Sequence, residues 1–354
     1  MTFDILHVIG TRPNLPKFNP VWQAAKHFGF SQNWIHTSQH YSPSLFKDNE
    51  IIFDLEKPLV ELGIDSTSST NFISRSMEKL ADIFQSLQPI LVVVYGDVHS
   101  TLAASLACKL TNSKLVHIEA GLRSFDSTLP EEINRTIVDA VADFHFVTLP
   151  SAIDNLVKEG RNPKSIYFHG NTMIDSLKMQ IENASLDTTL KRYGVSPNGF
   201  VIVTLHRGLN VDNQETLSEI MYQLQLLSDN IPVLFPVHPR TLKNLIPFSG
   251  VSIIPPLNYK EFNSLISQAR FVITDSGGIQ EETSYLGIPC FTLRPNTERP
   301  ETIFLGTNTL ICKDDIPKLL DFPVKNTPID IHGWDGNAGI RIAEELGSIL
   351  YQIM

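Results

Sequence analysis

The chain has 354 residues, a hydrophobic share of 42% and a formal net charge of −10. That length exceeds one ordinary core and suits two α/β domains. The acidic balance argues against general nucleic-acid binding, which needs basic surface, but leaves room for a small phosphate-bearing ligand held by local cations and helix N-termini.

Elements alternate along the chain. Met1-Thr2-Phe3-Asp4 enters a strand pattern without a basic, apolar leader, so a cytoplasmic location is expected. Ile5 to Ile9 reads as a buried strand ending at Gly10. Pro20 to Phe28 reads as a helix with Asn19 as N-cap and Pro20 in its first position. Asn33 to His36 is a short strand, and Ser74 to Leu87 carries Met77, Leu80, Ala81 and Phe84 on one helical face. Ile90 to Tyr95 is a strand, far short of the roughly 18 apolar residues that span a bilayer. A small-residue helix from Thr101 to Leu110, a strand from Lys114 to Ile118, a helix from Glu131 to Ala142 and a strand from His145 to Val147 continue the βαβ rhythm of a parallel sheet covered on both faces.

The rhythm pauses after Asp175, and the polar stretch Lys178 to Pro197 reads as a crossover between domains. It resumes with the strand Phe200 to Leu205, the helix Gln214 to Leu227, and strands at Pro232 to Phe235, Val251 to Ile254, Phe271 to Thr274 and Cys290 to Leu293. Ile340 to Ile353 is a last amphipathic helix. Cys108, Cys290 and Cys312 are too few and scattered for a disulfide framework or zinc site, and all three read as core thiols.

Two α/β halves place their strand carboxyl ends around one cleft. Polar residues gather at those ends: Arg12, Asp97, Glu119, His206, His238 and Ser276. In the run Thr274 to Glu282, a small polar turn at Ser276-Gly277-Gly278 opens a helix whose first N–H groups suit a phosphate. Thr297-Glu298-Arg299-Pro300-Glu301 concentrates charge further on, and the two runs together point to a nucleotide-type ligand. Arg12 and Lys17 read as cations facing phosphates. Asp97 reads as a general base or as a cap of the helix that begins near Val98. Glu131 and Glu132 lie in a first helical turn, where the dipole favours acids, and Asn134 and Arg135 are placed to pair with them. His206 and His238 stand at equivalent strand ends, each near an arginine. No metal-ligand spacing, Gly-x-Gly-x-x-Gly loop or Gly-x-Ser-x-Gly elbow is present, so neither a metal nor a dinucleotide cofactor is expected.

Taken together, these motifs resemble the non-hydrolysing UDP-N-acetylglucosamine 2-epimerases over nearly the whole chain. The matching runs are Gly10 to Pro13 with Lys17, Gly96-Asp97, His117 to Arg123, Pro130 to Arg135, Gly170 to Thr172 with Asp175, Thr204 to Arg207, Pro236 to His238, Asp275 to Glu282 and Thr297 to Glu301. The resemblance implies a GT-B-like fold of two Rossmann-like domains facing a cleft, residues 1–175 and 176–337, with residues 338–354 returning to the first. It also implies reversible inversion at C2 of UDP-GlcNAc to give UDP-ManNAc, with no cofactor, and family members are commonly homodimers. Asn14 stands where many members have Glu, Leu209 where many have Glu, and Tyr41 where bacterial members have Arg. In some bacterial members such positions help hold a second, activating UDP-GlcNAc.

C2 of an acetamido sugar carries a hydrogen that is not acidic, so the expected route breaks the C1–O bond first. Loss of UDP and the C2 proton leaves a glycal, and return of both on the opposite face gives the epimer. On this hypothesis Ser276, Gly277, Gly278 and Arg12 stabilise the diphosphate, with Arg299 and His238 on the same ligand. Glu282 holds the ribose, and Arg207 with His206 supports the phosphate side. Asp97, Glu119 and Glu131 form the acid–base set, and Lys17 tunes their charge. Domain closure is expected to keep the glycal from water. Three other readings fit the same residues: a glycosyltransferase on this fold, a non-catalytic nucleotide-sugar binder, and an epimerase of a modified acetamido sugar.

Overall fold

The computed structural model describes residues 3–39, 51–64, 66–182, 186–237, 239–246, 248–322 and 330–353. The chain divides into two units: Met1–Ser176 with His332–Met354, and Leu177–Ile331. Tyr41 and His238, singled out in the sequence, lie outside the described residues.

The first unit is built on β1 (Ile5–Ile9), β2 (Gln32–His36), β3 (Val60–Glu61), β4 (Leu91–Tyr95), β5 (Lys114–Ile118), β6 (Phe144–Val147) and β7 (Ile166–Phe168). They form one sheet in the order β3-β2-β1-β4-β5-β6-β7, and every recorded pairing is parallel. All of β1 and β4 is buried, as strands of a parallel sheet covered on both faces require, and the polar atoms of His7 and Tyr95 within them meet each other at 2.9 Å. Strand order reverses between β1 and β4, which opens a crevice at their carboxyl ends. The small-residue helix His99–Lys109 comes so close to the first turn that a Cβ on Gly10 would lie 2.2 Å from Ser100 Oγ.

The second unit holds β8 (Val201–Thr204), β9 (Val233–Pro236), β10 (Val251–Ile254), β11 (Phe271–Thr274), β12 (Cys290–Thr292) and β13 (Asn308–Leu310). Their order is β10-β9-β8-β11-β12-β13, again parallel, with the reversal between β8 and β11. Val201, Val203, Phe235, Phe271 and Ile273 pack against Leu217, Met221 and Leu224 of the helix Gln214–Ser228 on one face of the sheet.

Several elements differ from the sequence reading. The first helix runs Leu15–His27 with Pro20 inside it, not capped by Asn19. Pro20 has no N–H to give to Pro16 O, its partner in an α-helix, and Ser176 Oγ supplies that carbonyl with a hydrogen bond of 2.7 Å instead. The stretch after Asp175 is helical, as Thr172–Glu182 and Leu186–Tyr193, because Ile174, Leu177 and Leu190 find buried positions. Cys312 is not a core thiol: it is exposed, and its Sγ donates to Asp315 Oδ2 at 3.0 Å.

The C-terminal segment is tied into the first unit at several points. Trp334 Nε1 donates to Thr148 O at 3.4 Å, and Arg341 Nε to His169 O at 2.8 Å. Asp175 accepts from the N–H groups of Ala338 (3.2 Å) and Gly339 (2.7 Å), which open the helix Ala338–Ile353. A Cβ on Gly339 would lie 2.6 Å from the backbone of Pro20, so glycine permits the close crossing of the two helices. Burial pushes the Asp175 carboxyl up to about 6 despite these bonds.

Candidate functional site

In the first unit the crevice is lined by the turns after β1, β4 and β5. β4 gives way to Gly96, with φ +65°, where a Cβ would sit 3.1 Å from the Lys17 ammonium. Asp97 follows. Its carboxylate does not cap the helix His99–Lys109, whose cap position is Val98; Oδ2 instead takes Arg135 Nη2 at 2.5 Å. The turn after β5 begins with Glu119, a non-glycine residue at φ +70°. Such a conformation costs on the order of 1–3 kcal/mol and persists only where surrounding bonds enforce it. Here the N–H groups of Glu119 and Ala120 both donate to Phe146 O, at 3.0 and 3.1 Å. The Glu119 side chain is ion-paired with Lys17, and its Oε1 lies 3.6 Å from Arg135 Nη2.

Two carboxylates from successive strand ends are thus held against two cations, with Arg135 common to both. Asn134 Nδ2 completes the frame by donating to Asp97 O at 2.8 Å. The pairing expected from spacing was different: Arg135 and Asn134 serve Asp97, not the neighbouring Glu131 and Glu132. Glu132 turns inward and accepts from Ser124 N (2.8 Å), Ser124 Oγ (2.9 Å) and Phe125 N (3.2 Å). Glu131 is half-buried in the first turn of Pro130–Val141 and makes no hydrogen bond or ion pair among the described residues.

Arg12 lies in the short turn Arg12–Asn14 and is largely buried, which lowers its pKa from the usual value. Asn14 shapes that turn. Its Oδ1 accepts from Gly10 N (3.3 Å) and Thr11 N (3.0 Å), and its Nδ2 donates to Tyr95 O (3.1 Å). A glutamate cannot donate to that carbonyl, so asparagine at this position has a local structural reason.

The second unit repeats the device with different chemistry. β11 ends in Asp275, which is fully buried and accepts from His206 N (3.1 Å), Arg207 N (2.9 Å) and Asn210 Nδ2 (3.0 Å). His206 Nδ1 lies 2.9 Å from the same carboxylate, while 47% of the His206 side chain is exposed. Burial alone would raise the Asp275 pKa, but the charge and hydrogen bond of His206, then Asn210 and the Arg207 N–H, bring it down to about 2. Ser276 is the cap residue of Gly277–Leu286, and no side chain caps that helix.

Arginines and glutamates are interleaved beside this turn. Glu298 accepts from Arg294 Nη2 (2.8 Å) and Arg299 Nη1 (2.5 Å), with Arg207 Nη2 3.5 Å away. Arg299 Nε also meets Glu281 Oε1 at 2.9 Å. Burial would raise the Glu298 pKa, but Arg299, Arg294 and Arg207 hold it well below the carboxylate range. Arg299 is buried, and a Cβ on Gly277 would lie 2.3 Å from its Nη1, so the guanidinium rests against the turn itself. Glu282 is buried and accepts from the Tyr259 hydroxyl at 2.7 Å. Burial, against the opposing effect of Tyr259 and with the help of nearby Glu281, pushes it up to about 8.

Arg135, Asn14, Asp275 and Arg294 were not singled out as site residues by sequence reasoning. The signal for Asp275 was present, as a small acid directly at a buried strand end. Arg135 had a competing partner at helical spacing, and only the tertiary fold brings Asp97 to it.

The family model described as UDP-N-acetylglucosamine 2-epimerase matches residues 23–346. A UDP-N-acetylglucosamine 2-epimerase of Methanococcus maripaludis is 36% identical over 352 residues, covering 94% of this chain and 95% of its own. A UDP-2,3-diacetamido-2,3-dideoxy-D-glucuronate 2-epimerase of Pseudomonas aeruginosa is also 36% identical, covering 98% and 99%. The crystal structure of the Methanocaldococcus jannaschii UDP-GlcNAc 2-epimerase in complex with UDP-GlcNAc and UDP superposes with a TM-score of 0.89 at 33% identity, covering 97% of this chain and 99% of that one. With two parallel α/β units of the GT-B-like kind and a match along nearly its whole length, the chain belongs to the UDP-N-acetylglucosamine 2-epimerase family.

Proposed function

We propose that this protein inverts C2 of UDP-N-acetylglucosamine reversibly, through elimination and re-addition of UDP. The observation that carries the reading is the pair Asp97 and Glu119, brought from separate strand ends onto the shared Arg135. In the first half-reaction the C1–O bond breaks and its electron pair leaves on the diphosphate. A carboxylate removes the C2 proton, and the C–H pair becomes the C1=C2 bond of the glycal. In the second half, a proton is delivered to the opposite face of C2 and the diphosphate oxygen re-forms its bond to C1. Atoms balance without an oxidant.

The roles divide by unit. Gly277 and Gly278 offer backbone N–H groups and Ser276 its hydroxyl to the diphosphate, with Arg207 and Arg299 beside them and Arg12 as a further cation. Arg299 acts by holding the turn through Glu281 and Glu298. Glu282 serves the ribose hydroxyls in exchange for part of its bond to Tyr259. Asp97 and Glu119, held against Arg135 and Lys17, exchange the C2 proton on the two faces of the sugar, and Glu131 completes the acid set. His206, oriented by Asp275, supports the leaving diphosphate.

Incubation with UDP-N-acetylglucosamine in heavy water tests the reading. Deuterium is expected at C2 of both epimers, and product free of isotope overturns elimination. A second substrate reading, a diacetamido uronate sugar, draws support from the Pseudomonas aeruginosa relative. A panel of nucleotide sugars followed by proton NMR separates the two, because only the true substrate reaches an equilibrium mixture.

A further inference from the structure

His117 lies in β5 and Asp139 in the helix Pro130–Val141, and both side chains are fully buried. Nothing in the acid–base chemistry above uses either one. His117 Nε2 donates to Gly96 O at 2.8 Å, and Nδ1 lies 2.6 Å from Asp139 Oδ1. The other Asp139 oxygen accepts from Gly121 N at 3.0 Å and meets Arg123 Nη2 at 2.7 Å. Arg123 then reaches Glu159 with two bonds of 2.8 Å.

One end of this chain of bonds therefore grips the turn that presents Asp97. The other grips the turn that presents Glu119. Both turns pass through left-handed backbone: Gly96 (φ +65°) and Gly121 (φ +78°) adopt it freely as glycines, whereas Glu119 at φ +70° is held there at a cost. Gly96 O and Gly121 N lie just past the strand ends, where ladder bonds give out. Filling the same volume with apolar side chains would pack the core as well, since buried ion pairs repay their desolvation poorly. An apolar pair would not supply directional bonds to both turns.

We propose that His117 and Asp139 are positioning residues that set the separation of Asp97 and Glu119. The proposal rests on the reading that these two carboxylates perform the proton transfers. Displacing a reacting group by about 1 Å costs on the order of 100-fold in rate, so the brace acts on turnover more than on binding.

The test compares Asp139→Ala with Asp139→Asn in the full chain. Alanine removes the bonds at both ends. Asparagine keeps the shape, accepts from Gly121 and donates to His117 Nδ1. In Asp139→Ala, kcat is expected to fall about 100-fold with KM within about threefold and UDP affinity unchanged. Amides at residues 96–97 and 119–121 should exchange hydrogen about tenfold faster or more, with no change in the second unit. Asp139→Asn should recover most of the turnover and protection. Unchanged exchange and kcat in a folded Asp139→Ala overturn the proposal, as does an asparagine variant as impaired as alanine. If Asp139→Ala does not fold, the near-isosteric His117→Phe tests the Gly96 end alone. Faster exchange at 96–97 with lower kcat upholds the brace, and no change overturns it. Should the wild-type protein fail to exchange C2 hydrogen, the functional reading falls while the amide data still decide the brace.

Discussion

The two units end their central strands in the same way and use the ends differently. β4 adjoins β1 in one sheet as β11 adjoins β8 in the other, and each leads into an aspartate. Asp275 turns inward, fully buried, and clamps the turn after β8 through the N–H groups of His206 and Arg207. Asp97 keeps 18% of its side chain exposed and meets Arg135 in the crevice. The first unit still needs its neighbouring turn clamped, and Asn14 does this from the other side, binding Gly10 and Thr11 N–H groups and donating to Tyr95 O. Moving the structural task to Asn14 leaves Asp97 available for chemistry. In the second unit the aspartate is committed to structure, and on the proposed reading the diphosphate is left to backbone N–H groups and arginines. The difference teaches that an acid at a strand end is not by itself a catalytic acid; what its neighbours already satisfy decides.

This contrast is sharpest in paired substitutions. Asp97→Asn should lower kcat about 1,000-fold while UDP affinity, measured by calorimetry, stays within about threefold. Parallel loss of UDP binding would break the division of labour. Asp275→Ala should act in the opposite sense, costing about 3 kcal/mol of stability, because two backbone N–H groups and two side chains lose a buried acceptor. Denaturant unfolding reads it, and a change confined to turnover would contradict the structural role.

Asn14→Asp comes next in size, at about 2 kcal/mol: it removes the donor to Tyr95 O and sets a carboxylate against that carbonyl. A neutral outcome would show that the clamp of the first unit lies elsewhere. The smallest effect separates two buried anchors. Asp275 is lowered to about 2, whereas burial raises Asp175 to about 6. The folded state therefore binds the Asp175 proton more tightly than the unfolded chain does. Its contribution is fully present below pH about 4 and lost as pH rises through about 6. Between pH 7 and pH 5 the wild type should gain about 1 kcal/mol relative to Asp175→Asn, and equal slopes in pH-dependent unfolding would remove the shift.

Much of the architecture was legible because strand runs such as Leu91–Tyr95 and Phe271–Thr274 are short and mostly apolar, and turns at Gly96 and Ser276 end them visibly. The first helix was misjudged at its start, since a proline inside a helix is disfavoured unless something distant serves the orphaned carbonyl. That group is Ser176 Oγ, far along the chain. Glu282 was read only as an acid for the ribose; its burial and its bond to Tyr259 join separate elements and leave no local trace.

Residue order alone settled the alternation of strands and helices, the turns, and the kinds of polar group at each strand end, because these follow from hydrophobic period and local backbone preference. The tertiary structure decided which acid meets which cation. Arg135 could pair locally with Glu131, yet it takes Asp97 and Glu119, because the sheet brings those strand ends beside its helix, and Glu131 makes no ion pair among the described residues. Charge pairing across a sheet depends on distances that no spacing along the chain encodes.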